Sequence, residues 1–417
     1  MRVLLGGIPL GCDNIGDEAI IAGVVKMLKE SLPGVELTVA TDDPATAALL
    51  GVNVVPVFGF RDVGFLGFAE EVRRHDAYIW CGATGLSDYP HVALELLEIA
   101  QGEGVPTFVW GVGMDDELNP VFFKAAGKRR LLLSLFGLVG WYERRLRARL
   151  KRRIARVLPR CKGVWLRDPQ SAAMLAQMGF PGAQVTADSA ILLQMKNVKC
   201  KMENEGDVPS STILHSPFSI LHSQLGLCIS TQRQVADLDG VRRMIAAVRD
   251  SGARVLGIPM NIKTDRTLLE SLGVECIPGT TPEAVMAAAA ACDVVLSSRL
   301  HLLILAANAG TPGLGIARGS KLANWLSNFG QSVVGSVYDC DWDKVTEQVL
   351  AAIKDRGGRG DPSRRSVGDG WGEPSRRAAS DWTSIRAAAY ERLMSRLEKA
   401  RAELIAKLAP REGTACP

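Results

Sequence analysis

The chain of 417 residues carries 49 Lys or Arg against 45 Asp or Glu, and its formal net charge of +4 gives no indication of nucleic-acid binding. It has no apolar run near the roughly 20 residues that a membrane-spanning helix needs. The nine cysteines include no Cys-x-x-Cys pair, and no cluster of His, Cys, Asp and Glu has the spacing of metal ligands. We therefore predict a cytoplasmic protein with reduced thiols and no metal, and the strand pattern starting at Met1 predicts no secretory leader.

Short apolar runs alternate with helical patterns along most of the chain, which predicts an α/β fold with mostly parallel sheets. The predicted strands of the first half are Val3–Gly6, Glu36–Ala40, Val52–Val57, Ala77–Cys81, Thr107–Trp110 and Gly163–Leu166. Those of the second half are Leu225–Ile229, Arg254–Gly257, Asp293–Ser297 and Leu314–Ile316. Helical patterns such as Asp17–Glu30 and His91–Gln101 lie between them.

Two breaks in composition divide the chain. A polar stretch with Lys and Pro predicts a linker at 195–222, between a Rossmann-like domain at 1–194 and a second one at 223–355. A stretch rich in Gly, Arg, Ser, Pro and Asp predicts a flexible tether at 356–380, followed by a helix at 381–410. The arrangement resembles the glycosyltransferase-B-like architecture, in which two Rossmann-like domains face a cleft.

An arginine and a histidine stand where a predicted strand of the second domain turns into a helix. After Asp293–Ser297, Ser298 and Arg299 lead into an apolar stretch that begins Leu300-His301 and is typical of a buried helix. Ligands of open α/β sheets bind at this edge, because helix N–H groups and the helix dipole favour an anion. Arginine supplies a forked cation and histidine carries protons near neutral pH, so the pattern indicates anion binding with proton transfer. An ion-paired arginine and a helix-capping histidine are the alternative.

A glycine-rich loop follows the first predicted strand and leads into a helix through Asn14, Asp17 and Glu18. The loop matches neither the Walker pattern nor the dinucleotide-binding pattern G-x-G-x-x-G. Taken alone, Asn14 and Asp17 are interpreted as helix caps and Glu18 as a charge that complements the helix dipole.

Taken together, these motifs resemble the polysaccharide pyruvyl transferase family. The likeness is carried by Asn14-Ile15-Gly16-Asp17-Glu18-Ala19-Ile20, Trp165-Leu166-Arg167-Asp168 with Ser171, Ser298-Arg299-Leu300-His301, Thr311-Pro312, Lys321 and Phe329-Gly330. It spans residues 1–355. The resemblance implies two Rossmann-like domains, with the first on the acceptor side and the second on the side of phosphoenolpyruvate.

The resemblance also implies a reaction and its site residues. Members of the family transfer the pyruvyl group of phosphoenolpyruvate to sugar hydroxyls, and usually leave a cyclic pyruvate ketal and phosphate. Arg299, His301 and Arg167 match the catalytic residues, with His301 as the acid–base group. The residues implied for substrate binding are Asn14, Asp17, Glu18, Ser298, Leu300 and Lys321. Phosphoenolpyruvate is then the donor substrate, and no cofactor is implied.

Three positions depart from the family pattern. Cys81-Gly82-Ala83-Thr84-Gly85 stands where the family usually has a run of three glycines. Ala317-Arg318-Gly319-Ser320 stands where an aromatic–acidic pair often precedes the lysine, and Ala187-Asp188-Ser189-Ala190 replaces Asp-Pro-Ala. The phosphate end of the site is intact, whereas the identity of the acceptor is open.

A basic segment at 124–162 contains fourteen Lys or Arg and a single acid, Glu143. With Trp141 and the apolar residues 131–141 it has the composition of a segment that lies on an anionic membrane surface. A solvated crossover helix with a buried stripe is the interpretation slightly favoured by the sequence. A membrane surface would suit an enzyme that acts on a lipid-linked glycan at the inner face of the membrane.

Two other functions are compatible with the predicted architecture. A glycosyltransferase that uses a nucleotide sugar requires an acidic residue for the ribose, and 317–320 contains none. A non-catalytic binding protein on the same fold has no use for Arg167, Arg299 and His301 together. The partners expected are therefore phosphoenolpyruvate and a glycan or lipid-linked glycan, and not nucleic acid.

Overall fold

The computed structural model describes residues 1–409 except 12, 42, 61–62, 117, 194–222, 231–236 and 358–373. The predicted linker at 195–222 and most of the predicted tether lie outside the described residues. The described chain divides into two compact units. The first contains Met1–Leu192, Gly319–Asn324 and the described residues from Tyr390 onward, and the second contains the described parts of Leu193–Arg318 and Trp325–Ala389.

The described part of the first unit contains one parallel sheet in the order β3-β2-β1-β4-β5-β6-β7. Its strands are β1 Arg2–Leu10, β2 Glu36–Thr41, β3 Asn53–Val55, β4 Ala77–Cys81, β5 Thr107–Val112, β6 Gly163–Leu166 and β7 Gln184–Val185. Every side chain of β4 and β5 is buried, as continuous apolar runs are when helices cover both faces of a parallel sheet.

Helices on the two faces of this sheet connect its strands. They are α1 Ile15–Ser31, α2 Pro44–Leu50, α3 Phe68–Val72, α4 Gly85–Asp88, α5 Pro90–Gly102, α6 Pro120–Phe123, α7 Gly127–Leu135, α8 Val139–Val157 and α9 Pro169–Gln177. Single 3₁₀ turns are formed by Leu158–Arg160 and Ser189–Leu192.

The second unit repeats the scheme with a parallel sheet in the order β10-β9-β8-β11-β12-β13. Its strands are β8 Gln224–Cys228, β9 Arg254–Gly257, β10 Glu275–Cys276, β11 Val294–Ser297, β12 Gly313–Ala317 and β13 Gly335–Ser336. Its helices are α10 Leu238–Asp250, α11 Thr264–Ser271, α12 Pro282–Ala290, α13 Leu300–Asn308 and α15 Trp342–Gly357. Helices α14 Ser320–Ser327 and α16 Pro374–Leu408 supply residues to both units.

Both sheets have the Rossmann strand order, in which the first strand lies between the second and the fourth. The direction of the connections reverses between β1 and β4 in the first sheet, and between β8 and β11 in the second. Ligands of such sheets bind beyond the carboxyl ends of the strands at this reversal. The two-domain α/β fold predicted from the sequence is confirmed.

The last helix begins earlier than the sequence predicted. Helix α16 starts at Pro374, inside the stretch assigned to the tether at 356–380. Proline is well tolerated in the first turn of a helix, where its missing N–H is not needed. Two alanines at 378 and 379 then continue the helix with the strongest helix propensity.

Candidate active site

At the reversal point of the second sheet, hydrogen bonds of Ser297 and Ser298 fix the ends of two neighbouring strands. Ser298 donates its N–H to the carbonyl of Cys228 (3.0 Å), and its Oγ accepts the N–H of Ser230 (2.8 Å). Ser297 Oγ accepts the N–H of Arg299 (2.8 Å) and donates to the carbonyl of Arg299 (2.9 Å). These bonds join the ends of β8 and β11 and fix the backbone from which the Arg299 side chain extends.

Arg299 is the N-cap residue of α13, and a buried carboxylate orients its guanidinium. Its Nε lies 3.0 Å from Oδ2 of Asp265, and its Nη2 lies 2.8 Å from Oδ1, so the pair is bidentate. The Asp265 side chain is fully buried, whereas 19% of the Arg299 side chain is exposed. A guanidinium has five N–H donors, and this pair takes two of them. The sequence analysis missed Asp265, because an aspartate in the first turn of a helix is normally interpreted as a dipole complement.

The loop after β9 holds Asp265 in place. Asn261 donates its N–H to Oδ2 of Asp265 (2.9 Å), and the thiol of Cys228 approaches the same oxygen at 3.6 Å. Burial, together with the negative charge of Asp265, raises the pKa of the Cys228 thiol well above its ordinary value. The thiol therefore stays protonated near neutral pH and serves as a weak donor to the carboxylate.

Helix α13 is fixed in the core of the second unit. Leu300 is only 5% exposed, so its side chain belongs to the core and a ligand could reach only its main chain. His301, the next residue, is half-buried. At the other end of the helix, Arg386 Nε donates to the carbonyl of Ala307 at 2.6 Å. A cation at a helix C-terminus satisfies carbonyls and complements the dipole, so α16 stabilises the helix that carries His301.

Asn14 caps α1 in the first unit, as its sequence alone predicts. Its Oδ1 accepts the N–H of Gly16 (3.2 Å), and its Nδ2 donates to Oδ2 of Asp17 (2.6 Å). Asp17 and Glu18 both lie in the first turn of α1. The capping interpretation is confirmed for Asn14, and a substrate-binding role for Asn14, Asp17 and Glu18 stays a prediction.

Among the described residues, the two non-glycine residues with left-handed backbone lie where the connections of the first sheet reverse. Asp13, after β1, has φ of 56°, and Ala83, after β4, has φ of 51°. Gly82 beside it has φ of 68°. The structure gives a reason for the glycine run that the family usually has here, because a Cβ is disfavoured in this conformation. Non-glycine residues held at positive φ are enriched at functional sites.

Arg167 follows β6 and is almost completely buried. Its Nε lies 3.3 Å from Oδ2 of Asp168, and its Nη1 lies 3.7 Å from Oδ2 of Asp188. A Cβ added to Gly113 would stand only 2.5 Å from the Arg167 guanidinium carbon, so that glycine makes room for the side chain. With 5% of its side chain exposed, Arg167 packs against the loop after β5, and its contact with a phosphate stays a prediction.

The loop after β5 also supplies a carboxylate that the sequence analysis missed. Asp115 Oδ1 accepts the N–H of Ser320 (2.8 Å) and its hydroxyl (2.9 Å), and residues 319–324 belong to the same unit. Burial alone would raise the pKa of Asp115, but the charge of Lys321 and the bonds from Ser320 outweigh it and lower that pKa. In the sequence, the acidic pair at 115–116, shortly after a buried strand, could have indicated this carboxylate.

The predicted site residues thus form three groups. Ser298, Arg299, Leu300 and His301 share one strand end in the second unit. In the first unit, Arg167 and Lys321 both interact with the loop at 113–116, while Asn14, Asp17 and Glu18 lie at the start of α1.

The two Rossmann-like units give this protein the glycosyltransferase-B-like fold. A family model described as polysaccharide pyruvyl transferase matches residues 14–320. The chain therefore belongs to the polysaccharide pyruvyl transferase family, a family of transferases of polysaccharide biosynthesis. No curated protein sequence matches it.

Solved structures of nucleotide-sugar enzymes share the fold. HepE (Alr3699) from Anabaena, in complex with UDP and glucose, is 13% identical with a TM-score of 0.55, over 97% of this chain and 98% of its own. MnaA from S. aureus, with UDP, is 13% identical with a TM-score of 0.52, over 94% and 96%. UDP-GlcNAc 2-epimerase from Neisseria meningitidis is 13% identical with a TM-score of 0.51, over 85% and 92%. At such identities the likeness shows the fold alone.

Proposed function

We propose that this protein transfers the pyruvyl group of phosphoenolpyruvate to sugar hydroxyls of a cell-surface polysaccharide or its lipid-linked precursor, forming a pyruvate ketal and phosphate. The observation that carries the proposal is Arg299, held bidentately by buried Asp265 at the start of α13 and at the reversal point of the second sheet. Family membership supplies the reaction class.

Donor binding follows from the charges at the edge of the second sheet. Phosphoenolpyruvate carries a phosphate and a carboxylate, and Arg299 together with the N-terminus of α13 favours an anion there. Asp265 fixes the direction of the fork, so less side-chain entropy is lost when a ligand binds. Arg318 follows β12, the neighbour of β11, and therefore lies on the same edge of the sheet.

The reaction needs proton transfers, which we assign to His301. A proton added to the methylene carbon of phosphoenolpyruvate makes a methyl group, and a sugar hydroxyl oxygen attacks the adjacent carbon while losing its own proton. The bond from that carbon to the phosphate oxygen then breaks, and phosphate leaves with the electron pair. A second hydroxyl closes the ketal, and its proton leaves with phosphate. One imidazole can give the first proton and recover one from the attacking hydroxyl.

The acceptor side is assigned to the first unit. Asp17 and Glu18 at the start of α1 offer carboxylates that can accept hydrogen bonds from sugar hydroxyls. Asn14 caps the helix that carries them. Lys321 and Arg167 supply positive charge that would stabilise the departing phosphate. A lipid-linked acceptor implies that the protein works at the inner face of the cytoplasmic membrane.

The proposal is tested by offering the purified protein phosphoenolpyruvate, inorganic phosphate or a UDP-sugar and measuring thermal unfolding. Phosphoenolpyruvate should raise the melting temperature, since a ligand that binds the folded state stabilises it. Arg299→Lys keeps the charge but loses the fork, and it should abolish most of this shift. The matched control is Arg242→Ala, which removes an exposed arginine paired with Asp239 on α10.

Turnover is then followed as phosphate release by phosphorus NMR, with glycan fractions as acceptors. Release that depends on both phosphoenolpyruvate and the acceptor supports the proposal. Stabilisation by a UDP-sugar and not by phosphoenolpyruvate would overturn it in favour of a glycosyltransferase. Stabilisation by neither ligand would favour a non-catalytic protein on the same fold.

A further inference from the structure

Residues 127–149, which we call the hairpin surface, contain no buried side chain although the structure describes all of them. They comprise α7, the connection at 136–138 and the first part of α8. The buried residues of α8 are Leu150, Ile154 and Val157, which all lie in its second part. The sequence had favoured a crossover helix with a buried stripe along the segment, and the structure limits that stripe to the last turns.

Large apolar side chains are exposed on the hairpin surface. Leu131 is 66% exposed, Leu135 74% and Phe136 69%, and Leu132 and Trp141 are exposed by 58% and 48%. At about 100° per residue, the three leucines fall within roughly 100° of one another on α7. Monomeric proteins rarely expose contiguous apolar patches, and such patches mark sites of interaction with another protein or a membrane.

The same surface is densely cationic. Its exposed cations, which form no ion pair with a carboxylate in the described part of the chain, are Lys128, Arg129, Arg130, Arg144, Arg145, Arg147 and Arg149. The guanidinium of Arg145 lies 5.3 Å from the centre of the Trp141 ring. Beyond the surface the pattern changes, because Arg153 pairs with Glu95 and Glu98 and thereby fastens the second part of α8 to α5.

We propose that the hairpin surface docks on an anionic lipid bilayer, with Leu131, Leu132, Leu135, Phe136 and Trp141 in the interface and the cations against the headgroups. Charge complementarity identifies the occupant, because a second copy of this surface would bring arginines against arginines. No helix among the described residues meets the requirements for crossing a membrane, so the contact is a peripheral one. The proposal goes beyond the transfer reaction and uses none of its residues.

The contribution of the cations to membrane binding is tested by co-sedimentation of the full-length protein with vesicles. The vesicles contain phosphatidylglycerol mixed into phosphatidylcholine. We expect binding at low salt that weakens as salt rises, since the screening length is about 8 Å at physiological ionic strength. The triple variant R144E/R145E/R149E should bind about 100-fold more weakly or worse, because each cation near the surface contributes roughly fivefold. The matched control, K344E/K354E/K399E, makes the same charge change at exposed lysines elsewhere and should bind as before.

Apolar insertion is tested separately with L131S/L135S, whose matched control is L49S/L66S at leucines that are 83% and 96% exposed. The first variant should lose most of its vesicle binding and the second none. Brominated lipid should quench a tryptophan signal that disappears in Trp141→Phe. None of these side chains is buried, so circular dichroism and melting temperature should stay unchanged in every variant.

Several results would overturn the proposal. They are absence of binding to anionic vesicles at low salt, equal binding to vesicles of phosphatidylcholine alone, and equal losses in a variant and its control. Concentration-dependent dimers that L131S/L135S abolishes, seen by sedimentation without lipid, would assign the surface to a second copy of the chain instead.

Discussion

Arg167 and Arg299 both follow a buried parallel strand, and each faces a buried aspartate, yet their surroundings differ. Arg299 is itself the N-cap of α13, is partly exposed, and has a bidentate partner in the first turn of α11. Arg167 stands one residue before the N-cap Asp168 of α9, packs against Gly113, and has looser pairs. One position along the chain therefore separates a partly exposed arginine with a close bidentate partner from an almost completely buried arginine with looser pairs.

The largest effect expected from this comparison is on stability. Arg299→Ala leaves the fully buried carboxylate of Asp265 without its cation, which should lower the free energy of unfolding by about 3–5 kcal/mol. Arg167→Ala should cost less, about 1–3 kcal/mol, because its pairs with Asp168 and Asp188 are longer, at 3.3 and 3.7 Å. Urea denaturation measures both variants.

A rescue sharpens this prediction. Asp265→Asn in the Arg299→Ala background removes the buried charge and should recover part of the lost stability. A larger loss for Arg167→Ala than for Arg299→Ala, or no rescue by Asp265→Asn, would contradict the difference drawn between the two sites.

The second prediction concerns His301, which shares the strand end with Arg299. His301→Ala should leave the thermal shift by phosphoenolpyruvate largely intact and lower turnover by roughly 10²-fold or more, as loss of an acid–base group does. The reason is that proton transfer contributes to the transition state more than to the bound ground state. Phosphate release measures the effect. Normal turnover in the variant would show that His301 has no acid–base role in the reaction.

The third prediction concerns Asp115, in the loop against which Arg167 packs. Its lowered pKa means that it stabilises the folded state above the ordinary carboxyl value of about 3.9, and that this contribution is lost as pH falls through the lowered pKa. Asp115→Asn should cost about 1–3 kcal/mol at neutral pH and less in acid. Melting temperatures from pH 2.5 to 7, about the usual span for such titrations, compare the variant with the parent. Parallel curves of melting temperature against pH would show that the charge of Asp115 contributes nothing to stability.

The smallest expected effect is at Ala83, at the reversal point of the first sheet. Ala83→Gly relieves a left-handed alanine but adds entropy to the unfolded chain, so stability should change by less than about 1 kcal/mol, with either sign. Ala83→Val should destabilise by more than Ala83→Gly, since a β-branched side chain is worse at positive φ. Equal stability of the valine variant would show that the conformation is not required.

Most of the fold was predictable because the central strands of both sheets are continuous apolar runs that are buried on both sides. The two-residue strands β7, β10 and β13 were missed, since an edge strand of that length leaves no pattern in the sequence. In the site, the order of residues around Arg299 and His301 was sufficient to place them on one edge. Asp265 and Asp115 were not predictable in their roles, because they meet partners 34 and 205 positions away along the chain.

The first unit is discontinuous along the chain, and this has a consequence for its synthesis. Arg401 Nε donates to Oγ of Ser31 across 370 residues, and Lys407 donates to the carbonyl of Lys162. At a translation rate of about 5–20 residues per second, the partner of Ser31 leaves the ribosome roughly 20–75 seconds after it. The groups of the first unit that α16 contacts lack these partners throughout that interval, while the second unit is being made. The first unit is therefore begun first on the ribosome and completed last.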